Sequence, residues 1–316
     1  IARELLGKPY ARVPILAYAR LWLRLARRLD DEFFGMNGRR MKSGSFNFMA
    51  RAAIHEATLD AALERALAFL GLIFDGLQPR LVSQDGVAAI QLDEGQAPAQ
   101  RAFCYFTLYL MVHGLACWLA GRRVPILAID LRCAQPDYIE DYRVMFSDNL
   151  RFGRRQTRLL FNAEALALPV RRDARELRRF LASAPGNILV RYRDPQSLAA
   201  RIKAYLRGLR CERWPDLESL GSHFYMASST LRRKLAAEGQ SYQALKDQLR
   251  RDLAIARLDA GEGNFADLAE ELGFADASAF HKAFRKWTGS TPGQYRALMQ
   301  QENDWREPSR IPPPGR

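Results

Sequence analysis

Two clusters of cationic and small polar side chains carry the most specific chemistry of this sequence. Arginine binds guanine through two parallel hydrogen bonds, whereas lysine and serine more often bind phosphate oxygens. The first cluster comprises Ser228, Ser229, Arg232, Arg233 and Lys234. The second comprises Ala277, Ser278, His281, Lys282, Arg285 and Lys286. Because helical spacing would point each cluster away from an apolar face, the sequence predicts two helices that contact double-stranded DNA.

Each cluster belongs to the second helix of a predicted helix-turn-helix unit, near residues 216–239 and 264–288. Gly239 closes the first unit, Gly273 supplies the sharp turn of the second, and Asp276 is the predicted N-cap of the helix that follows. Apolar residues at helical spacing predict the buried faces. They are Leu217, Leu220, Phe224, Leu231 and Leu235 in the first unit, and Phe265, Leu268, Ala269, Leu272, Ala279, Phe280, Ala283, Phe284 and Trp287 in the second.

One long helix is predicted to join the two units. Its buried stripe is predicted from Tyr242, Leu245, Leu249, Leu253 and Ala256, and it ends where Gly261 and Gly263 interrupt the pattern. A helix over residues 241–260 is about 30 Å long, close to the roughly 34 Å of one turn of B-DNA. The two units are therefore expected to enter successive major grooves on one face of a duplex.

These segments resemble the DNA-binding domain of AraC/XylS-type transcription regulators. The resemblance rests on MASSTLRRKLAAEGQSY from Met226, on the spacing of Arg250, Ala254 and Leu258, and on LAEELGFADASAFHKAFRKWTGSTPGQYR from Leu268. It covers the last third of the chain and implies an all-helical domain that starts with a helix near 195–208. It also implies recognition helices near 228–237 and 277–287. Its base-contact candidates are Ser229, Arg232, Arg233, Ala277, Ser278, His281 and Lys282.

A few residues depart from the usual pattern of that family. Ala227 stands where a capping serine is usual, so Ser228 is predicted to cap the first recognition helix instead. Gly221 stands where a small alanine is usual, at a cost of about 1 kcal/mol in helix stability. Ala277 and Ala279 leave the second recognition helix few hydrogen-bonding groups. We therefore predict that the first recognition helix reads sequence and that the second mainly anchors the domain.

The first two thirds of the chain alternate between helical and strand-like patterns. Helices are predicted near 15–29, 59–74, 103–119, 137–145 and 173–182. Strands are predicted in a hairpin over 81–92, which turns at Asp85 and Gly86, and at 126–131 and 157–161. The predicted fold class is thus an α+β N-terminal effector domain followed by an all-α C-terminal domain with two helix-turn-helix units joined by a linker helix.

Domain boundaries follow from composition and from helix-start signals. A regulatory domain is predicted over 1–184, a linker over 185–193, the DNA-binding domain over 194–301 and a disordered tail over 302–316. Asp194 is the predicted cap, and Pro195 the first residue, of the helix that opens the DNA-binding domain. The 316-residue chain is long enough for two domains with separate cores.

The N-terminal region more loosely resembles the arabinose-binding-domain-like sensory region of one branch of these regulators. The resemblance over about 10–180 rests on short segments: Leu21-Trp22, Phe34-Gly35, GSFNFMARAA from Gly44, and Phe152-Gly153 ahead of Leu166–Pro169. It implies that this region senses an effector and self-associates. It transfers no ligand, and the name of the domain is no evidence for arabinose.

The apolar helix near 103–119 supplies the candidate effector-binding residues. They are Tyr105, Tyr109, His113 and Trp118. Pockets for small molecules are lined by aromatic side chains with a few polar groups, and this composition suggests an apolar effector such as a fatty acid. The alternative is a plain core helix, in which His113, like His55, is a hydrogen-bonded core histidine.

The chain has a formal net charge of +13, and much of the excess lies just before the DNA-binding domain. The arginines concerned are Arg151, Arg154, Arg155, Arg158, Arg171, Arg172, Arg175, Arg178 and Arg179. Two interpretations stay open. The run is a solvated face beside DNA or the other domain, or it binds an anionic effector such as a carboxylate or a nucleotide.

Enzymatic functions find little support among the motifs. The sequence has no phosphate-binding glycine loop, HExxH or GxSxG, and its four cysteines form no CxxC pair, so neither catalytic residues nor a cofactor nor a metal site is predicted. The expected function is an effector-controlled transcription regulator in the cytoplasm, without a membrane span, that contacts RNA polymerase and forms a homodimer. The alternatives are an architectural DNA-binding protein that needs no effector, and a DNA-repair enzyme with this type of helix-turn-helix.

Overall fold

The computed structural model describes residues 3–5, 8, 11, 13–190, 197–261 and 263–300. The predicted tail over 302–316, and the predicted cap and first residue at Asp194 and Pro195, lie outside the described residues. Residues 186–190 of the predicted linker form a short helix that packs on the N-terminal domain. That part of the segment therefore belongs to the N-terminal core.

Seven α-helices of the described chain belong to the N-terminal domain. They are α1 (Ile15–Leu29), α2 (Ser45–Ala53), α3 (Leu59–Ile73), α4 (Ala102–Leu119), α5 (Ile139–Met145), α6 (Ala174–Ser183) and α7 (Gly186–Val190). Side-chain caps fix the start of two of them. Thr58 accepts a hydrogen bond from the backbone N–H of Ala61 ahead of α3, and Asp173 forms a capping box with Glu176 at α6.

The N-terminal domain also contains a five-stranded mixed sheet. Its strands are β1 (Gln78–Gln84), β2 (Val87–Asp93), β3 (Ile126–Asp130), β4 (Leu150–Arg151) and β5 (Thr157–Asn162), in the order β1-β2-β5-β3-β4. The β3–β4 pair is parallel and the other three pairs are antiparallel. The predicted hairpin is confirmed, and its turn has φ values of 48° at Asp85 and 82° at Gly86. The short β4 was not predicted.

The two faces of this sheet pack against different domains. On one face, Leu81, Ile90 and Leu159 join the N-terminal core beneath α3 and α4. On the other, Ala89, Leu127 and Leu160 join the core of the second helix-turn-helix unit. Because successive strand residues point to opposite faces, apolar residues at adjacent positions serve two cores. The sheet is therefore the layer that connects the domains.

The helix α4 lies at the centre of the N-terminal domain. Among the described residues it is the one helix long and apolar enough to cross a membrane, and 94% of it is buried inside the fold. The sequence interpretation of this segment as a buried core helix is consistent with that position.

The C-terminal part of the described chain is all helical. Its helices are α8 (Leu198–Arg207), α9 (Leu217–His223), α10 (Ser228–Ala237), α11 (Tyr242–Ala260), α12 (Phe265–Glu271), α13 (Ala277–Thr288) and α14 (Pro292–Gln300). The helix α8 begins at Leu198, after Ser197 caps the N–H of Ala200. The fold class is thus α+β followed by all-α, as the sequence predicted.

The buried stripe of α11 differs from the prediction in its second half. Leu253 is 40% exposed and Ala256 is exposed, whereas Ala254, Ile255 and Leu258 are buried. The first half of α11 packs in the first unit's core, beside α8, and the second half packs against α14 and β3. Because the two halves of α11 pack in different cores, the buried face changes along the helix. A single stripe with a 3.6-residue period does not describe such a helix.

Candidate nucleic-acid interface and domain junction

The helix α10 presents the first predicted DNA-contact cluster to solvent. Leu231 and Leu235 are buried in the core of the first unit, with Leu220 of α9. On the opposite side of α10, Ser229, Arg232, Arg233 and Lys234 are exposed and Ser228 is half-buried. The apolar pair therefore fixes the rotation of α10, and the cationic side chains are free to enter a groove.

The prediction that Ser228 caps α10 is wrong. Ser228 is the first helical residue, and Ala227 occupies the N-cap position, where no side chain accepts a hydrogen bond. By contrast, the predicted cap at Asp276 is confirmed, since its carboxylate accepts from the N–H of Ala279 at 2.7 Å. The start of α10 consequently leaves backbone N–H groups without a protein cap, and such groups favour anions.

Gly221 of α9 has a steric reason to lack a side chain. A Cβ at this position would lie 2.6 Å from the carbonyl oxygen of Met226, in the turn between α9 and α10. The N–H of Met226 also donates to the carbonyl of Gly221 at 2.8 Å. The glycine thus lets the turn close on α9, which accounts for its presence where an alanine is usual in the family that the sequence resembles.

Gly221→Ala is expected to destabilise the chain although alanine favours helix. The gain in helix propensity is about 1 kcal/mol, but the clash is with backbone and costs about 1–3 kcal/mol. The midpoint of thermal unfolding should fall by a few degrees. Gly208→Ala is the matched control, because its Cβ would lie 3.4 Å from the nearest oxygen and its φ is −76°. An increase in the midpoint for Gly221→Ala would contradict the steric explanation.

The helix α13 presents the second predicted cluster. Ser278, Lys282, Arg285 and Lys286 are exposed, while Ala277 and His281 are half-buried. The ring of His281 contacts that of Phe265 edge-on, with 5.3 Å between centroids. The exposed cations continue to the C-terminal end of α13, whereas its N-terminal end offers only Ser278 as an exposed hydrogen-bonding side chain.

The end of α13 touches the sheet of the N-terminal domain directly. A Cβ on Gly86, in the β1–β2 turn, would lie 2.1 Å from the carbonyl oxygen of Gly289, and both glycines have positive φ. Beside this contact, Phe280, Phe284 and Met299 pack in the same core as the sheet residues. The second recognition helix therefore packs directly on the N-terminal domain.

The arginines before the DNA-binding domain include a buried ion cluster. Arg151 and Arg158 each donate to the carboxylate of Asp130, and the side chains of all three residues are less than 10% exposed. Arg151 and Arg154 also donate to Asp259 of α11, at 2.8 and 2.7 Å. Burial alone would raise the pKa of Asp130, but the two guanidiniums outweigh it and lower that pKa. The interpretation of this part of the run as a solvated face is wrong, because its members pair within and between the domains.

A cleft of about 670 Å³ lies between the domains. The N-terminal domain lines it with Arg123, Glu140, Arg143 and Asp148, and the C-terminal domain lines it with Lys203, Arg207, Glu238, Gln248, Arg251 and Asp252. Arg207 forms an ion pair across the cleft with Asp148. Lys203 is only 5% exposed and donates to Gln248. The lining thus carries carboxylates and cations in similar numbers.

The four predicted effector-binding residues lie inside the N-terminal core. The hydroxyl of Tyr105 donates to Glu94 at 2.6 Å, that of Tyr109 donates to the carbonyl of Ile90 at 3.2 Å, and Nε2 of His113 lies 2.8 Å from the carbonyl oxygen of Val124. The ring of Trp118 stacks on Phe180 and lies beneath Arg172. The polar side-chain atoms of Tyr105, Tyr109 and His113 are thus engaged by the fold, and none of the four residues lines the interdomain cleft.

A smaller cavity of about 370 Å³ is lined by residues of α1, α2, α4 and α7. Its apolar wall includes Trp22, Phe46, Leu110, Met111 and Ile188, and its polar groups include Arg27, Glu32 and Asn47. Burial raises the pKa of Glu32, although its carboxylate accepts from the N–H groups of Gly44 and Phe46. The helix α4 therefore reaches a cavity through Leu110 and Met111.

The cysteines and possible metal ligands complete the chemically active groups. All four cysteines are free and buried. Cys117 lies 3.5 Å from Nε2 of His113. Among the described residues, no group of three His, Cys, Asp or Glu side chains is placed to hold a metal ion.

Comparison with known proteins places both domains in families. Residues 1–170 match the family model for the N-terminal arabinose-binding domain of AraC transcription regulators, and residues 220–298 match a helix-turn-helix domain. The ornithine utilization regulator of Pseudomonas aeruginosa is 25% identical over 295 residues, which cover 93% of this chain and 87% of the relative. The regulator VqsM of the same organism is 31% identical over 99 residues, about 30% of each chain.

Among solved structures, the transcriptional regulator CdpR of Pseudomonas aeruginosa is 20% identical and covers 91% of this chain and 99% of its own. The TM-score of that superposition is 0.32, so no site is transferred from it. The sensory-domain match spans more than half of the sequence, and the helix-turn-helix match follows it in the expected order. The chain belongs to the AraC family of transcription regulators, with an N-terminal ligand-binding domain and a C-terminal helix-turn-helix domain.

Proposed function

We propose that α10 reads the base sequence of the operator and that α13 anchors the second unit on the phosphate backbone. The observation that carries this division is the pair of exposed arginines on α10, against the alanines at 277 and 279 of α13. The proposed contacts are Ser228, Ser229, Arg232, Arg233 and Lys234 on α10, and Ala277, Ser278, His281, Lys282, Arg285 and Lys286 on α13.

We also propose that the interdomain cleft is the effector site. A ligand changes a conformational equilibrium only by contacting its two states differently. The cleft is lined by both domains and bridged by the Arg207–Asp148 ion pair, so a ligand there would alter how the first unit sits on the N-terminal domain. The second unit is joined to the N-terminal domain by the ion pair of Asp259 and by the shared core, and we propose that these contacts persist when the effector binds. Effector binding would thus change the position of α10 relative to α13, and with it the affinity for DNA.

The charges that line the cleft support one class of effector. Glu140 pairs with Arg143, and Asp148 pairs with Arg207. A ligand that opened these pairs would offer an ammonium group to the carboxylates and a carboxylate to the guanidiniums. A zwitterion of amino-acid size satisfies both. The relative named for ornithine utilization supports this class, since it is similar over nearly the whole chain.

Adding L-ornithine, L-arginine or L-glutamate is expected to raise the midpoint of thermal unfolding and to change DNA affinity at least five-fold. With Arg207→Ala, the dissociation constant for DNA should be nearly the same with and without the ligand. Arg65→Ala is the matched control, because this exposed arginine pairs with Glu56 far from the cleft. A ligand effect that Arg207→Ala leaves unchanged would refute the cleft as the effector site.

The smaller cavity supports a second candidate effector. Its walls include apolar side chains beside the polar groups, and Leu110 and Met111 place it on the helix whose composition suggested an apolar effector. In this candidate, the helix that lines the cavity also carries the predicted effector-binding residues, which support the lining from the core. They are Tyr105, Tyr109, His113 and Trp118. Decanoate in the same thermal screen distinguishes the two, since stabilisation by decanoate and by none of the amino acids would favour the smaller cavity.

The proposed function also includes the domain boundaries, the cellular location and the partners of the protein. We propose a division into a regulatory domain (1–184), a linker (185–193) whose residues 186–190 pack on the regulatory domain, a DNA-binding domain (194–301) and a tail (302–316). The protein is proposed to act in the cytoplasm as a homodimer that contacts RNA polymerase from its DNA-bound state. The family assignment favours this regulatory role over an architectural protein or a repair enzyme.

A further inference from the structure

The turn that precedes α10 contains an exposed tyrosine in a strained backbone conformation. Tyr225 lies between α9 and α10 and is 97% exposed. Its φ is 56°, in the left-handed region. Because a Cβ clashes with the backbone in this region, glycine normally occupies such positions.

The second helix-turn-helix unit provides an internal comparison. The N–H of Met226 donates to the carbonyl of Gly221 at 2.8 Å, and the N–H of Phe274 donates to that of Ala269 at 2.9 Å. These two equivalent bonds align Tyr225 with Gly273, whose φ is 71°. The same turn is therefore closed by glycine in one unit and by a large aromatic residue in the other.

Tyr225 gains no burial that would offset its strain. Three other described residues that are not glycine have positive φ: Asp30, Phe34 and Asp85. Aspartate is short and polar and tolerates this conformation, and the ring of Phe34 packs edge-on against Trp22, with 4.7 Å between centroids. Tyr225 has neither property. Strain without a compensating contact in the free protein is typical of a residue kept for function.

We propose that the hydroxyl of Tyr225 donates a hydrogen bond to a phosphate of the DNA strand at the edge of the groove that α10 enters. Tyr225 lies three residues before Ser228, the first residue of α10, and its side chain projects into solvent. Such a contact fixes the register of the helix on the duplex and carries no sequence information. The inference rests on the proposed DNA-binding role of α10.

Two substitutions separate the hydroxyl from the backbone strain. Tyr225→Phe removes the donor and should weaken binding to the operator that the wild type selects by about 10- to 150-fold, the loss of one hydrogen bond to a charged group. Tyr225→Gly should weaken binding at least as much while the midpoint of thermal unfolding rises, because the strain is relieved. The slope of log Kd against log salt should stay unchanged for both, since the phenol is uncharged.

Phosphate-ethylation interference identifies the contact itself. With the wild type, ethylation of the contacted phosphate should inhibit binding, and with Tyr225→Phe that single effect should disappear. Tyr138→Phe is the control, because Tyr138 is 52% exposed and lies on the N-terminal domain. Wild-type affinity for either Tyr225 variant, an unchanged interference pattern, or a lower unfolding midpoint for Tyr225→Gly would overturn the inference. A wild-type chain that selects no duplex would instead overturn the proposed function, and this inference with it.

Discussion

Replacing Asp130 by alanine is expected to lower the midpoint of thermal unfolding by about 10 °C. The substitution removes the carboxylate that the buried guanidiniums of Arg151 and Arg158 share, although Arg151 keeps its ion pair with Asp259. Breaking a buried pair by removing one partner costs about 3–5 kcal/mol, and each kcal/mol corresponds to about 2–4 °C for a protein of this order of size. The measurement is a thermal melt followed by circular dichroism.

The comparison for Asp130→Ala is Glu271→Ala, which removes an ion pair with Arg257 in which both side chains are about half exposed. That control should shift the midpoint by no more than about 3 °C. Because the pKa of Asp130 is lowered in the folded chain, its contribution is present above the unfolded pKa of about 3.9 and is lost as the pH falls through the folded value. The difference from wild type should therefore stay constant between pH 5 and 8. A shift no larger than that of Glu271→Ala would contradict the role assigned to the cluster.

Arg232→Ala is expected to weaken binding to the preferred operator by about 5- to 150-fold. This range corresponds to about 1–3 kcal/mol, the usual value of a bidentate contact between arginine and guanine. Affinity for unrelated DNA should fall much less, so the ratio of specific to non-specific binding decreases. Fluorescence anisotropy with the two duplexes at one salt concentration measures both affinities.

Lys286→Ala provides the matched comparison on α13, since Lys286 is equally exposed and cationic. It should weaken binding to both duplexes by the same factor and reduce the salt slope by about one. Loss of specificity with Lys286→Ala but not with Arg232→Ala would reverse the roles proposed for the two helices.

Local patterns sufficed to predict most elements of the fold. The helix near 59–74, the buried stripe of α10, the Asp85-Gly86 turn and the Asp276 cap each depend on a few neighbouring residues, and each is present in the structure. The cap at Ser228 failed for a related reason. Cap preference favours Ser228 over Ala227, but α10 starts at Ser228 and leaves Ala227 at the N-cap position.

The contacts between the domains could not be predicted from local sequence. Nothing in the neighbouring sequence distinguishes Arg151 and Arg158 from solvated arginines. Their shared partner Asp130 lies 21 residues from Arg151 and 28 from Arg158, and Asp259 lies 108 residues from Arg151. The exposure of Leu253 has the same origin, since the buried face of α11 depends on the sheet of the other domain. The strain at Tyr225 was also missed, although the alignment of its turn with that of Gly273 was available as a signal.

Selection of bound sequences from a randomised duplex library is the most direct test that α10 reads DNA. With the wild type, we expect one strong block of preferred bases, read by α10, and a weaker block from α13 whose centre lies about 10–10.5 base pairs away. With Arg232→Ala, the preference should be lost at a few positions of one block and kept in the other. Identical base preferences for the wild type and Arg232→Ala would contradict the assignment of α10 as the reading helix.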